Sequence, residues 1–342
     1  MPATNQLFIA VIGAGGVGKC FLSQLQSLAT RRPSPKLSLC YISTSRKALY
    51  NDDYSELSID GAIEALSSSS KAPPALPKAI LVDNTSSQDV ADLYPLALSR
   101  GVSIVTPNKK AFSGSYQLWQ DIFTAAATSG AKVYHESSVG AGLPVISTLK
   151  DLVDTGDKVT KIEGVFSGTM SFLFNSFAPT EGQGGKWSDE VKKAKSLGYT
   201  EPDPLTILAR LAGLPVESPT AFPVQSLIPK ELESCSSGDE FLEKLPAFDQ
   251  QMEETKAAAE KAGKVVRFVG SIDVAANKVK VGLEMFDRSH PIAALKGSDN
   301  IISFYTERYG GNPLIVQGAG AGGDVTAMGV TADLIKVISQ IS

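Results

Sequence analysis

The first half of this 342-residue sequence predicts an α/β fold with a doubly wound parallel sheet. Short apolar runs alternate with amphipathic helical segments, which produces parallel strands with helices on both faces. A glycine-rich turn directly after the first run is typical of Rossmann-type domains. From Thr148 onward, strands of mixed pattern follow with fewer helices, which predicts a second, α+β domain with a mixed or antiparallel sheet. We expect a dinucleotide-binding domain over residues 1–149 with 318–342, and a second domain over residues 150–317.

The stretch LFIAVIGAGGVG, residues 7–18, is interpreted as a buried strand, a tight turn and the start of a helix. Gly13 lets the chain reverse, Gly15 lets the backbone approach a pyrophosphate, and Gly18 lets the helix pack against the strand. The first N–H groups of the helix predicted over Val17–Leu28 then face the diphosphate. A glycine turn that binds nothing is the alternative, and a second glycine run near the C-terminus weakens it. The predicted cofactor-binding residues of the turn are Gly13, Ala14, Gly15, Gly16, Val17 and Gly18.

Composition argues against several other classes of protein. The net charge is −4 and there is no lysine- or arginine-rich block, which argues against nucleic acid or an anionic membrane as partner. Cys20, Cys40 and Cys235 are widely spaced, which indicates neither a zinc site nor a disulfide framework. No apolar run approaches the roughly 18 residues of a spanning helix, and there is no signal peptide. We therefore expect a cytoplasmic protein that acts on a small molecule.

The tip of the second predicted strand, Leu37–Ser43, indicates the coenzyme. An NAD-preferring site usually places Asp or Glu there for the ribose 2′-hydroxyl, whereas this chain continues with Ser43, Thr44, Ser45, Arg46 and Lys47. Hydroxyl groups and two cations suit a 2′-phosphate, so the pattern favours NADP over NAD. A solvated helix start is the alternative interpretation of the two cations.

Two more predicted strands end at the edge of the sheet where doubly wound folds bind ligands. The strand Ala79–Val82 is followed by Asp83 and the polar residues after it, and Val102–Val105 is followed by TPNKK, which ends at Lys110. A lysine at this edge can hold an anionic group as a point charge or assist proton transfer. Two solvated lysines in a loop are the alternative.

The segment Glu136–Leu143 combines one carboxylate with a glycine-containing turn whose carbonyls can point inward. Oxygen ligands without thiols or imidazoles select hard cations, so a cation site is one interpretation and a capped turn is the other. His135, directly before it, is either a proton carrier or a structural histidine.

Two segments in the second half carry polar side chains suited to a substrate. Ser167–Ser171 is rich in hydroxyls and follows a predicted strand. In Gly198–Pro204 the prolines stiffen the backbone and hold Glu201 and Asp203 in fixed directions, which suits recognition of an ammonium or hydroxyl group. A structural proline-rich turn is the alternative for this second segment.

Nine sequence blocks in a fixed order point to one known family. They are AVIGAGGVG, DNTSS, TPNKKAF, YHESSVGAGLP, FSGTMSFLFN, GYTEPDP, ESPTAFPVQSLIP, LKGSDN and QGAGAG, and they span nearly the whole chain. In these blocks the sequence resembles homoserine dehydrogenase, most closely the monofunctional fungal enzymes. The resemblance implies NAD(P)-dependent interconversion of L-homoserine and L-aspartate 4-semialdehyde in threonine, methionine and isoleucine biosynthesis. It also implies a homodimer whose second domain serves catalysis and dimerisation.

The resemblance also assigns roles by position. Lys110 would stand between cofactor and substrate, and Lys110 and Glu201 would be the catalytic residues, with Glu201 facing the amino group. The cofactor would be lined by the glycine turn and by Ser43, Thr85, Ser86 and Gly322, with Lys110 in contact with it. The cation Arg46 at the tip of the second strand is predicted as a further cofactor-binding residue from its charge. The substrate would be lined by Gly168, Thr169, Tyr199, Glu201 and Asp203. A sodium-type ion would be held by Glu136, Val139, Ala141 and Leu143.

One departure from the family pattern follows GYTEPDP. The family continues through an acidic segment into a helix that carries an Asp and a Lys central to catalysis, whereas here Pro204 is followed at once by Leu205. Arg210 does not give up its proton, which leaves Lys110 as the candidate proton donor. The alternative is an impaired family member that binds nucleotide and dimerises. A semialdehyde dehydrogenase of another class would need a cysteine nucleophile in the crevice, and neither Cys20 nor Cys40 is placed for that role.

Overall fold

The computed structural model describes residues 6–31, 35–71, 80–194 and 203–341. The chain divides into two compact units, Met1–Ser147 with Ala321–Ser342, and Thr148–Gly320. Each unit is built around its own sheet.

A six-stranded sheet forms the centre of the first unit. Its strands are β1 (Gln6–Ile12), β2 (Lys36–Ser43), β3 (Ala48–Tyr50), β4 (Ile80–Asp83), β5 (Ile104–Val105) and β6 (Val133–Tyr134). The spatial order β3-β2-β1-β4-β5-β6 is that of dinucleotide-binding sheets. All neighbouring strands are parallel except β2 and β3, which a tight turn joins from Thr44 to Lys47, too short for the crossover that a parallel pair needs. The predicted doubly wound sheet is therefore confirmed, with one short antiparallel strand at its edge.

Helices cover the sheet of the first unit and connect its strands. They are α1 (Gly16–Arg31), α2 (Ala62–Ser68), α3 (Gln88–Ala91), α4 (Tyr94–Ser99), α5 (Lys110–Ser113), α6 (Tyr116–Ser129) and the start of α7 (Val145–Asp154). A further helix, Gly323–Ile341, returns to this unit and packs against α1. Ile9 and Val11 of β1, Phe21 of α1 and Leu334 of the returning helix share one buried cluster. Burial of such side chains stabilises the unit by roughly 1.5–3 kcal/mol each.

Three predicted helices are interrupted in the structure. The pattern predicts single helices over 88–100, 112–129 and 241–262, but Pro95, Gly114 and Pro246 lie at or beside the three interruptions. A proline removes a backbone donor and clashes with the preceding turn, so the two proline-containing segments are each divided. At Gly114 a Cβ would lie 2.7 Å from the carbonyl oxygen of Lys110. The chain turns there and leaves Lys110 at the first position of a single-turn helix.

The second unit contains a five-stranded sheet and the remaining helices. The strands are β7 (Val159–Val165), β8 (Lys264–Asp273), β9 (Lys278–Asp287), β10 (Asp299–Thr306) and β11 (Leu314–Ala319). The helices are α8 (Gly168–Phe177), α9 (Trp187–Ala194), α10 (Asp203–Leu211), α11 (Gly238–Lys244), α12 (Asp249–Lys261) and α13 (Pro291–Ala294), and the helix that returns to the first unit is α14 (Gly323–Ile341).

This second sheet is antiparallel throughout, in the order β11-β10-β7-β8-β9. Of the two arrangements expected, the antiparallel one is therefore present and the mixed one is not. A tight turn joins β8 to β9, and such a connection forces antiparallel pairing. Side chains from α8 and α9 pack with Val266 and Phe268 of β8 in one hydrophobic cluster.

Within these described residues, no helix has the length and apolar character needed to cross a bilayer. All three cysteines are free thiols.

Candidate functional site

The glycine turn has the close contacts that its sequence predicts. Gly13 lies in the left-handed region at φ +95°, and a Cβ there would lie 2.8 Å from the carbonyl carbon of Asn84. A Cβ on Gly18 would lie only 2.0 Å from the carbonyl oxygen of Gly13. Both positions therefore require glycine so that β1 can turn into α1 beside the end of β4.

Gly15 and Gly16 differ from these two because they face open space. Both are exposed, and a Cβ on either would meet no atom within 4 Å. Ala14 and Val17, by contrast, pack against the core of the unit. Packing does not require glycine at these two positions, which lie at the N-terminus of a sixteen-residue helix. Glycines there fit a diphosphate that is bound by backbone N–H groups.

A buried amide next to the turn points to a ligand independently. Both polar atoms of the Asn84 side chain are buried, and neither is hydrogen-bonded to a described residue. The Asn84 nitrogen would lie 3.8 Å from a Cβ on Gly18. Orphaned amides of this kind are expected where a ligand or a bound water completes the hydrogen bonds.

The tip of β2 lies beside the same turn. The N–H of Gly13 donates to the carbonyl oxygen of Ser43, 2.9 Å away, and Ser43 is buried. The hydroxyl oxygen of Thr44 accepts from the backbone N–H groups of Arg46 and Lys47. The Lys47 ammonium donates to the carbonyl of Ser67, whereas Arg46 is exposed and pairs with no acid of the described ranges. Arg46 is therefore the cation at this tip that is available to a phosphate.

Asp83, the last residue of β4, organises the next part of the site. Its carboxylate is fully buried, and Oδ1 accepts from the N–H of Thr85 at 2.8 Å. Oδ2 accepts from the hydroxyl of Tyr94 and from the side-chain amide of Asn108 at 3.0 Å. Burial first, and Asp83 second, raise the pKa of Tyr94 well above its usual value, so this phenol stays a donor.

Thr85 and Ser86 follow Asp83 at the cofactor turn. The Thr85 methyl group would lie 3.0 Å from a Cβ on Gly13, so the turn and the β4 end are in contact. Ser86 is exposed. The structure thus brings Thr85 next to the glycine turn, and Ser86 is the next residue along the chain.

Lys110 opens α5 at the end of β5. Its backbone N–H donates to Oδ1 of Asn108 at 3.1 Å, which satisfies a free donor at the helix start. Its side chain is exposed and makes no ion pair with any residue that the structure describes. The ammonium group is therefore available to a ligand.

The beginning of α14 completes this side of the unit. Gly322 has φ +118°, and a Cβ on the next residue, Gly323, would lie 3.2 Å from the sulfur of Cys20 in α1. The side chain of Gln24 donates to the carbonyl of Asp324. The second glycine run therefore lies against the helix that follows the first one.

Glu136 caps a helix. Its Oε1 accepts from the N–H of Ile146 at 2.7 Å and its Oε2 from the N–H of Ser147 at 3.1 Å, at the start of α7. The Lys336 ammonium lies 3.6 Å from Oε2 and 2.9 Å from Oδ1 of Asp333, whose other oxygen accepts from the N–H of Glu136. The carboxylate has partners on both oxygens before any ion is considered.

The turn after Glu136 has some of the backbone features of a loop whose carbonyl oxygens bind a cation. Gly140 and Ala141 are both left-handed, at φ +70° and +53°, which is unusual for alanine. Val139 is fully buried, and the carbonyl of Leu143 accepts from the N–H of Val145 at 2.8 Å. No group of three or more His, Cys, Asp or Glu residues within the described ranges is arranged to hold a metal ion.

His135 is a structural residue. Its ring is buried and stacks on Phe112 with the ring centres 3.9 Å apart, and its Nδ1 lies 3.0 Å from the hydroxyl of Ser138. Trp119 and Phe123 surround the pair. Of the two interpretations of His135, this enclosed, stacked ring fits the structural one.

Three of the expected substrate residues, Gly168, Thr169 and Asp203, lie at the starts of helices in the second unit. Ser167 caps α8, and the next residues are Gly168 and Thr169; a Cβ on Gly168 would lie 2.7 Å from the carbonyl oxygen of Ser298. Asp203 is the first residue of α10. Tyr199 and Glu201 lie outside the described residues.

α10 itself offers no proton donor to a substrate. It is nine residues long, and a Cβ on Gly270 of β8 would lie 2.5 Å from Leu205. Arg210 is buried, and its guanidinium donates to the carbonyls of Val216 and Glu217. The only other ionisable side chain of the helix is Asp203.

Sequence reasoning missed the organising role of Asp83 and Asn108. Both were visible only as polar residues after apolar runs, 25 positions apart. No local pattern joins them, because their hydrogen bond exists only once β4 and β5 lie side by side.

Comparison with known proteins agrees with this geometry. Residues 13–136 match the family model described as "Homoserine dehydrogenase, NAD binding domain", and residues 144–335 match the model described as "Homoserine dehydrogenase". A homoserine dehydrogenase of Emericella nidulans is 56% identical, with 98% of this chain and 99% of the relative covered. The homoserine dehydrogenase of Saccharomyces cerevisiae is 47% identical, with 99% and 100% covered.

Solved structures show the same fold. A Candida auris protein described as of unknown function superposes with a TM-score of 0.90 at 45% identity, over 98% of this chain and 99% of that one. A hyperthermophilic archaeal homoserine dehydrogenase in complex with NADPH superposes with a TM-score of 0.69 at 22% identity, over 98% of both chains.

Proposed function

Because the chain belongs to the homoserine dehydrogenase family, we propose that it oxidises the 4-hydroxyl of L-homoserine to the aldehyde of L-aspartate 4-semialdehyde, and catalyses the reverse reduction. The protein is an oxidoreductase that acts on a CH–OH group with NAD(P). The observation that carries the proposal is the open glycine turn at the carboxyl edge of the sheet, with the exposed ammonium of Lys110 at the end of a neighbouring strand. 

In this reaction the nicotinamide, when bound, accepts the hydride. The C4–H bond breaks and its electron pair leaves with the hydrogen, while the hydroxyl proton is released. In the oxidising direction Lys110, as the neutral amine, would take that proton at Nζ and become the ammonium, and in the reducing direction the ammonium would return it to the developing alkoxide. A positioned group of this kind contributes about 10²–10⁴ in rate. Its exposed side chain and the absence of a donor in α10 support the assignment.

On the substrate side, we assign the amino acid end of homoserine to the second unit. Glu201 would face the ammonium group, with Tyr199 and Asp203 beside it. Gly168 and Thr169 would offer the N-terminus of α8 to the carboxylate, which suits an anion.

For the coenzyme, we propose NADP. The exposed guanidinium of Arg46 at the tip of β2 would pair with the 2′-phosphate, next to Ser43. Arginine suits phosphate because its planar fork donates two hydrogen bonds at once.

We also propose a monovalent cation at the turn after Glu136, held by that carboxylate and by the carbonyls of Val139, Ala141 and Leu143. The two left-handed residues in the turn support this proposal. Against it, Glu136 already caps α7 and lies close to Lys336, so its carboxylate has little capacity left to bind an ion. Replacing sodium with choline in the assay buffer tests the proposal, since activity should fall without the small cation.

The remaining proposals concern the cell. We infer a homodimer, which is supported by the exposed apolar side chains of Val224 and Met285 beside the β9 edge. Sedimentation velocity tests this inference.

We infer that the protein functions in threonine, methionine and isoleucine biosynthesis in the reducing cytoplasm, where free thiols persist.

The experiment that tests the function is reduction of NADP⁺ followed at 340 nm with L-homoserine, L-serine and 1-butanol. We expect turnover with L-homoserine, and at least about a hundredfold less with the analogues, because a site built for the ammonium and carboxylate rejects a substrate that lacks or misplaces them. Equal rates with all three alcohols would contradict the proposal.

A further inference from the structure

Asp83 is not among the predicted site residues, and of the carboxylates in the described ranges it is the one at the carboxyl edge of the first sheet whose hydrogen bonds lead both to the cofactor turn and to Lys110. We propose that Asp83 and Asn108 are positioning residues that fix the cofactor-binding loop and the catalytic lysine at the same time. The inference rests on the proposed role of Lys110.

The chemistry of the donors requires a carboxylate at position 83. Thr85 offers a backbone N–H, Tyr94 a hydroxyl and Asn108 an amide NH₂, and all three point at the two oxygens of Asp83. No lysine or arginine within the described part of the chain forms an ion pair with it. Three hydrogen bonds therefore replace the water that a buried carboxylate loses.

One branch of the network ends at Lys110. Because the Asn108 amide donates through Nδ2 to Asp83 and to the carbonyl of Ser87, its Oδ1 is left to accept the N–H of Lys110. The hydroxyl of Thr106 forms a second connection between Asp83 and Asn108. It donates to the carbonyl of Asp83 at 2.7 Å and accepts a hydrogen bond from the N–H of Asn108. The orientation of the Asn108 amide, and with it the start of α5, is thus set by Asp83.

The other branch ends at the cofactor. Asp83 Oδ1 holds the N–H of Thr85, whose methyl group contacts the position of Gly13. A change at Asp83 therefore affects the N–H of Thr85 and the Asn108 amide directly, whereas a change at Asn108 affects Lys110 directly and the cofactor-binding loop only through the carbonyl of Ser87. Supporting shells of this kind hold reactive groups to within a fraction of an ångström.

Three variants separate the branches. In Asp83→Asn, the new side-chain NH₂ takes the place of an oxygen that accepts hydrogen bonds. The Asn108 amide must then rotate to accept from it, and this rotation turns the Asn108 NH₂ toward the N–H of Lys110. We expect kcat to fall by about tenfold or more, because small misplacements of a reacting group are costly, and the Kd for NADPH to rise about tenfold. In Asn108→Ala we expect the same loss in kcat with the Kd within about threefold. Tyr94→Phe removes one donor from the same carboxylate and a hydroxyl that lies 3.0 Å from Thr106, but it leaves the hydrogen bonds of Asp83 to Thr85 and Asn108 in place. It should lower Tm while kcat and Kd stay within about threefold.

Hydrogen exchange at the Lys110 amide supplies a readout that does not depend on turnover. It should become faster in Asp83→Asn and Asn108→Ala and stay unchanged in Tyr94→Phe. If all three variants lose only Tm, the residues are structural and the inference is wrong. If the unmodified chain binds NADPH without oxidising homoserine, the proposed function fails, and the exchange and Kd patterns still decide whether Asp83 positions the two branches.

Discussion

At the scale of single residues, the glycines of the first turn fall into two kinds. Gly18 is required by packing, since a Cβ would lie 2.0 Å from a backbone oxygen, while Gly15 has open space around it. Packing therefore does not require glycine at position 15, whereas close approach of a diphosphate to the backbone would.

This difference predicts opposite effects of one methyl group. Gly15→Ala should leave Tm within a degree or two, since surface changes away from packing cost little, and raise the Kd for NADPH about tenfold, or about 1.4 kcal/mol. Gly18→Ala should lower Tm clearly, with NADPH binding lost as a consequence. Thermal unfolding and NADPH fluorescence titration measure both. An unchanged Kd in Gly15→Ala would show that the diphosphate does not lie there.

Arg46 should decide between the two coenzymes. Arg46→Ala is expected to raise the Kd for NADPH about tenfold, as removal of a charged hydrogen bond of 1.5–3 kcal/mol would, and to leave the Kd for NADH within about twofold. Lys47→Ala is the matched control, because that ammonium already donates to the carbonyl of Ser67. Equal losses for NADPH and NADH would place the 2′-phosphate elsewhere.

At the scale of elements, α14 is joined to the loop before α7 by a buried acid. Asp333 accepts the N–H of Glu136, and burial raises the pKa of Asp333 to about 6 despite the neighbouring Lys336. The folded protein therefore binds a proton that the unfolded chain releases between about pH 4 and 6. The contribution of this group to stability is greatest near pH 4 and is lost as the pH rises through 6.

The effect can be isolated with Asp333→Asn, which keeps an acceptor for Glu136 but does not titrate. The free energy of unfolding of the wild type, relative to this variant, should fall by roughly 2–3 kcal/mol between pH 4 and pH 7, at about 1.4 kcal/mol per unit of pKa shift. Urea unfolding at several pH values measures it. The exposed Asp151→Asn is the control and should show no such slope. A difference that grows with pH would mean that the pKa is lowered.

The elements also show how far the sequence alone could lead. The order of strands and helices in the first unit and the turn at Gly13 follow from local patterns, because apolar period and glycine spacing act within a few residues. Gly114 passes so close to the Lys110 carbonyl oxygen that a Cβ would lie 2.7 Å from it, and the N–H of Glu136 donates to Asp333, 197 positions away. Such contacts are fixed by packing, so periodicity does not reveal them.

At the scale of the whole molecule, the chain has the two units of its family. It also lacks positions that its relatives have. The alignments extend over 367 residues with the Emericella enzyme and 363 with the Saccharomyces enzyme, more than the 342 residues of this chain, which therefore carries gaps. The resemblance to the family predicts that one gap lies directly after Pro204. The short α10 that follows still forms and packs through Leu205 against Gly270.

The central claim is that this chain catalyses the reaction with Lys110 as the group that moves the proton. The most direct measurement is the kcat for homoserine oxidation at saturating NADP⁺ in the wild type, in Lys110→Ala and in the neighbouring Lys109→Ala. We predict measurable turnover by the wild type, a loss of about 10²-fold or more in Lys110→Ala, and a much smaller change in Lys109→Ala. Wild-type turnover in Lys110→Ala, or NADPH binding by the wild type without any turnover, would contradict the account.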